Sequence, residues 1–197
     1  MNLTDTRRKL ALRITDPIVA VLSRSGITPN ALTFINLALN IVAAVVIARG
    51  HFLLGGALVL IAGLFDLLDG ALARLTGQAS RFGAVLDSVV DRLSEAAILS
   101  GLLIWYVSHH GAVLEVLLIL VVLTGSFLVS YIRARAEGLG WQCQVGLFTR
   151  AERVIVLALG LLIGQVFVAL WVLVVFVSIT VTQRLIHLWK QARTDGS

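Results

Sequence analysis

Apolar stretches close to twenty residues long follow one another along almost the whole chain, at about 31–48, 52–74, 82–107, 112–134, 152–165 and 167–188. About 20 such residues are needed for an α-helix to cross the hydrocarbon of a bilayer. Inside hydrocarbon the backbone must satisfy its own N–H and C=O groups, so stretches of this kind fold as helices. The fifth is short, and the loop before it is expected to supply another turn. A chain of 197 residues that is 58% hydrophobic, with a mean hydropathy of +0.96, is too apolar for a soluble domain. The expected fold is all-α and integral to a membrane. Six transmembrane helices would make up one domain over residues 26–197, and residues 1–25 an amphipathic juxtamembrane helix.

The N-terminal segment sets Arg7, Arg8, Lys9, Arg13 and Arg24 among Leu10, Ile14, Ile18, Val21 and Leu22. Its apolar positions recur at spacings of three and four, which suits a helix lying on an anionic leaflet. Asp16-Pro17 reads as an N-cap followed by Pro at the first helical position. Arg13 and Asp16 interrupt what would be the apolar region of a secretory signal. Between spans, Arg74, Arg81, Arg133, Arg135, Arg150, Arg153, Arg184, Lys190 and Arg193 gather on one side, and only Arg49 opposes them. The positive-inside rule makes that side cytoplasmic. The expectation is a multi-pass protein of the inner (cell) membrane with both termini in the cytoplasm.

The net charge of +5 is distributed over these connections. No basic tract is interleaved with exposed aromatic residues, which argues against a nucleic-acid partner. The single cysteine, Cys143, excludes an internal disulfide. His51, His109, His110 and His187 are dispersed at span ends and read as solvated turn residues.

Against this background, residues 66–91 carry four carboxylates where lipid-embedded helix is expected. An ionised carboxylate there costs about 2.5–3.5 kcal/mol on the insertion scale, so the four need a common purpose. Asp66 and Asp69 are separated by three residues and Asp87 and Asp91 by four, which puts each pair on one helix face. Thr76-Gly77 and Ser80 read as the turn between two helices, with Ser80 as N-cap. Asp69 precedes Thr76 by seven residues and Asp87 follows Ser80 by seven. At about 1.5 Å per residue, both lie roughly 10 Å from the turn and can converge at one level. Hard divalent cations are bound in this way, and Mg²⁺ pairs carboxylates with substrate phosphates. Gly70 and Gly83 leave room for a close approach.

The spacing DxxDGxxAR-x8-GxxxDxxxD is filled at every fixed position by Asp66, Asp69, Gly70, Ala73, Arg74, Gly83, Asp87 and Asp91. It resembles the signature of the CDP-alcohol phosphotransferase family. The resemblance implies that an acceptor hydroxyl attacks the lipid-bearing phosphoryl group of CDP-diacylglycerol and that CMP leaves. It implies Mg²⁺ or Mn²⁺, with two ions. Asp66, Asp69 and Asp87 would hold one, Asp87 and Asp91 would share a second, and Asp91 would be the general base. The CDP-lipid would meet Pro29, Asn30, Ala31 and Leu32, a segment similar to one the family uses, together with Asp66, Asp69, Gly70, Ala73, Arg74, Ser80 and Gly83. A homodimer is also implied. Ala96, Ala97, Ser100, Gly101, Gly125 and Ser126 would permit close helix packing, between subunits or within one.

For the acceptor, SYxxARAEGLG from Ser130, followed by Arg150-x-Glu152-Arg153, resembles the branch that makes phosphatidylinositol phosphate from inositol 1-phosphate. By that resemblance Ser130, Arg133, Arg135, Arg153 and Arg193 would hold a polyol phosphate. Glycerol 3-phosphate, giving phosphatidylglycerophosphate, is the alternative acceptor. A reading from another class is a cation or proton transporter with the aspartates as relay, continued outward by Glu95 and Glu115.

Overall fold

The computed structural model describes residues 19–24, 26–109 and 112–195. All regular structure among them is helical: α1 (Pro29–Ala48), α2 (Phe52–Leu75), α3 (Arg81–Ser108), α4 (Val113–Gly138), α5 (Arg150–Leu162) and α6 (Val166–Asp195). Residues 19–24 form the end of a further helix. The N-terminal helix expected over 1–25, with its Asp16-Pro17 cap, otherwise lies outside the described residues, as do His110 and Gly111.

Four helices, α1, α2, α4 and α6, are long and apolar enough to cross a membrane. The other two differ for physical reasons. Helix α3 has the length, 28 residues, but carries Asp87, Asp91, Arg92 and Glu95 through its middle. Helix α5 has 13 residues, about 20 Å of helix against roughly 30 Å of hydrocarbon. It begins at Arg150 because Thr149 and Glu152 form a reciprocal capping box there.

The helix ends follow local chemistry. Thr28 accepts a hydrogen bond from Ala31 N, and Pro29 opens α1 where no N–H is required. Between α2 and α3 the chain turns through Gly77, at φ 65°. Ser80 Oγ then accepts from Gly83 N at 2.9 Å, as its N-cap position predicts.

The main packed core lies in the half of the bundle away from that turn. Ala43 and Ile47 of α1 meet Val59 of α2, Leu99 and Leu102 of α3, Ile119 of α4, Leu161 of α5 and Leu170 of α6. A smaller cluster joins Val19 to Leu32, Leu68, Ala71 and Leu72. The outward faces are apolar too: Phe34, Val42, Leu53, Leu64, Leu117 and Val168 are all exposed. That surface belongs in lipid, where close van der Waals contact between helices replaces the hydrophobic effect as the main driving force.

Gly101 shows how tight the contact is. A Cβ there would stand 2.3 Å from the Ala44 carbonyl oxygen. One at Gly125 would meet Val177 Cγ1 at 2.4 Å. These two small residues therefore serve packing within the subunit. Gly101→Ala is expected to destabilise the protein by about 1–3 kcal/mol, because α1 backbone has to move. A thermal melt of the purified protein in detergent checks this, and an unshifted melt would contradict the packing.

Candidate active site

The carboxylates converge. Asp66 and Asp69 from α2 and Asp87 from α3 each offer an oxygen, and these oxygens lie within 4.8 Å of one another. In an octahedral Mg²⁺ shell, with ligands at about 2.1 Å, opposite oxygens stand about 4.2 Å apart. Small side-chain rotations therefore bring all three onto one ion. The donor set is hard, anionic and drawn from two helices held by a capped turn. It fits a divalent cation.

Helix α1 braces this group from the side. Thr33 Oγ1 donates to Asp69 Oδ2 at 2.9 Å, and Asn36 Nδ2 donates to Asp66 Oδ1 at 3.1 Å. Asn36 Oδ1 in turn accepts from Asn40 Nδ2 at 2.8 Å. All three α1 residues are buried. Such second-layer hydrogen bonds fix the orientation of metal-binding carboxylates. The sequence reading missed this trio. Its signal was three polar residues in an apolar span at spacings of three and four.

Asp91 is not one of the three residues whose oxygens converge. Its Oδ1 lies 2.7 Å from Arg150 Nη1, and Arg92 Nη1 is 4.0 Å from its Oδ2. The contact with Arg150 is an ion pair without hydrogen-bond alignment, so among the described residues the buried Oδ1 has no donor directed at it. The same Arg150 Nη1 donates to Asp66 Oδ2 at 2.6 Å. One guanidinium thus bridges the two helices through Asp66 and Asp91.

Beside Asp69 and Asp87 opens a cavity of about 220 Å³. Seven of the other expected CDP-lipid residues line it: Pro29, Asn30, Gly70, Ala73, Arg74, Ser80 and Gly83. Thr33, Gln78, Ala79 and Ala84 complete the wall. Ala31 and Leu32 do not line it. Leu32 is 1% exposed and belongs to the cluster around Val19 and Leu72. Asp66 lines a second cavity of about 220 Å³, with Asn40, Ser94, Glu95, Arg150 and apolar residues of α2, α3 and α5. Gly83 is closely packed, since a Cβ there would come 3.0 Å from Ser80 Oγ and 3.5 Å from Asn30 Oδ1.

The five residues expected to hold an acceptor phosphate are divided. Ser130 and Arg133 line an open groove of about 690 Å³ between α3 and α4, together with Arg92. Arg133 also pairs with Glu137 at 2.8 Å on this exposed face. Arg135 is exposed, and Arg193 lies over the Trp189 ring at 4.1 Å. Arg153 is 3% exposed and doubly bonded to Glu95, Nε to Oε1 at 2.7 Å and Nη2 to Oε2 at 2.9 Å. Its charge and that of Arg133 both act on Arg184, which donates to the Val145 and Val129 carbonyls and ties the 139–149 loop to α4 and α6.

The model of the CDP-alcohol phosphatidyltransferase family matches residues 26–189. The chain belongs to this family. It is a membrane-embedded CDP-alcohol phosphatidyltransferase. It is 37% identical over 186 residues to the phosphatidylinositol phosphate synthase of Mycobacteroides abscessus, an alignment covering 90% of this chain and 84% of that protein. The crystal structure of Mycobacterium tuberculosis phosphatidylinositol phosphate synthase with CDP-DAG bound superposes with a TM-score of 0.82 at 37% identity, covering 90% of this chain and 94% of that one. The same enzyme in complex with manganese and citrate gives 0.84 at 36% identity, covering 89% and 88%. Membership in this family replaces the transporter reading. The Glu95 carboxylate that would have continued a relay is consumed by Arg153.

Proposed function

We propose that the protein transfers the phosphatidyl group of CDP-DAG to inositol 1-phosphate, giving phosphatidylinositol phosphate and CMP. The observation that carries this reading is the joining of the three-carboxylate group to the cavity that Asn30, Gly70, Arg74 and Gly83 line. The relatives named above supply the acceptor.

Nucleotide enters the cavity beside Asp69 and Asp87, where Gly70 and Gly83 leave space and Arg74 offers a guanidinium to a phosphate oxygen. A divalent ion on Asp66, Asp69 and Asp87 supplies charge neutralisation at the diphosphate. Asp91 takes the proton of the acceptor hydroxyl as its oxygen bonds to the lipid-bearing phosphorus, and the bond from that phosphorus to CMP breaks. Arg150 pairs with Asp91. Ser130 and Arg133, at the groove beside Arg92, are the acceptor-phosphate residues of this reading, with Arg135 and Arg193 as further candidates. Arg153 acts through Glu95 rather than on the phosphate.

Six crossings, with α3 and α5 as the charged and the short one, put both termini and the carboxylates at the cytoplasmic side of the inner membrane. Residues 26–197 form the catalytic domain, and the working unit is a homodimer.

The test is CMP release from CDP-DAG by purified protein with Mn²⁺ and a panel of acceptors. Inositol 1-phosphate is expected to exceed glycerol 3-phosphate and free inositol by at least about 100-fold in kcat/KM, roughly 2.7 kcal/mol of discrimination. Preference for glycerol 3-phosphate would move the protein to the phosphatidylglycerophosphate branch.

A further inference from the structure

Arg150 occupies the side of the carboxylate cluster between Asp66 and Asp91. Neither Asp69 nor Asp87 pairs with a cation among the described residues, so the first ion's place lies on their side of Asp66. The opposite side, between Asp66 Oδ2 and Asp91 Oδ1, holds Arg150 Nη1 at 2.6 and 2.7 Å. A divalent ion on Asp91 requires its oxygen at about 2.0–2.1 Å. There it would stand against a guanidinium of like sign, with little solvent to screen the two.

The helix that carries Arg150 is fixed, and the side chain is not. The Thr149–Glu152 capping box sets the start of α5. Three residues on, the buried Arg153–Glu95 pair fastens α5 to α3. Both carboxylate contacts of Arg150 use the same nitrogen, Nη1, and its Nε is buried without a partner among the described residues. A long side chain held at one tip can swing away without moving the backbone.

We infer that Arg150 is a resident cation that competes with a second divalent ion for Asp91, holding Asp66 and Asp91 together until such an ion displaces it. The two ions then bind unequally, the first on Asp66, Asp69 and Asp87. This rests on the metal centre proposed above.

Mn²⁺ titration of the purified protein, followed by the electron paramagnetic resonance of free Mn²⁺, counts ions and their affinities without reference to activity. The wild type is expected to bind one ion at least about tenfold more tightly than any second. Arg150→Gln should strengthen the second site by about tenfold or more and change the first by less than about threefold. Arg150→Lys, which keeps the charge but lacks the guanidinium fork, should fall between and serves if Arg150→Gln does not fold. A second site unchanged or weakened in both variants overturns the competition. A wild type that binds no Mn²⁺ overturns the metal centre and this inference with it, a result distinguishable from the first.

Discussion

Turnover by Asp91→Asn is expected to fall by about 10²–10⁴-fold, the usual contribution of a general base, while CDP-DAG binding and the first Mn²⁺ site persist. The reason is positional. Asp91 lies outside the group of three oxygens that converge for an ion, and among the described residues no hydrogen-bond donor points at its buried Oδ1. Asparagine reproduces its shape but cannot accept the proton. A thousandfold loss corresponds to about 4 kcal/mol at the transition state, and it should appear in kcat with little change in KM for CDP-DAG. Asp69→Asn should behave differently. It removes a carboxylate that Thr33 orients and that lines the nucleotide cavity, so the first ion and the activity should go together. If Asp91→Asn retained kcat within about threefold of wild type, the base would have to be sought elsewhere. If it lost the first Mn²⁺ as Asp69→Asn does, Asp91 would be a ligand of that ion instead.

The sequence exposed the helices and the carboxylate face because both depend on local spacing. Apolar length sets a span, and separations of three and four put Asp66 with Asp69 and Asp87 with Asp91 on one side of their helices. Ser80 followed by Gly83 is a local signal too, and the cap forms. Adjacency in the chain is a different matter from facing. Pro29, Asn30, Ala31 and Leu32 stand together in the chain, but at about 100° per residue Leu32 points roughly 200° away from Asn30. The cavity therefore takes Asn30 and Thr33 and leaves Leu32 in the core. Partner choice over long separations was also beyond reach. Arg153 carries the same positive-inside signature as Arg150, and nothing local says that one meets Glu95, 58 positions earlier, and the other Asp66, 84 positions earlier. The long charged helix α3 and the short helix α5 depend on each other through that pairing. Their spans could be counted from hydropathy, but the interaction that holds them could not.

Arg153→Ala is accordingly expected to destabilise the protein by about 3–5 kcal/mol, the usual result of removing one partner from a buried ion pair. For a domain of this length that corresponds to a melting temperature about 6–20 °C lower. Glu95, 7% exposed, would be left charged in a region with little water, and α5 would lose its fastening to α3. Glu95→Gln should cost less, because a neutral amide still accepts one hydrogen bond from Arg153. The double replacement Glu95→Ala/Arg153→Ala should be more stable than the sum of the single losses predicts, since no lone charge remains. The same variants separate a strut from a phosphate-binding arginine. If Arg153 held the acceptor directly, its removal would raise KM for inositol 1-phosphate at an unchanged melting temperature, and Glu95 replacements would not share the effect. A shared loss of stability from either side, with coupling between them, is the outcome expected of a buried pair that sets Arg150 against Asp66 and Asp91 from three residues away.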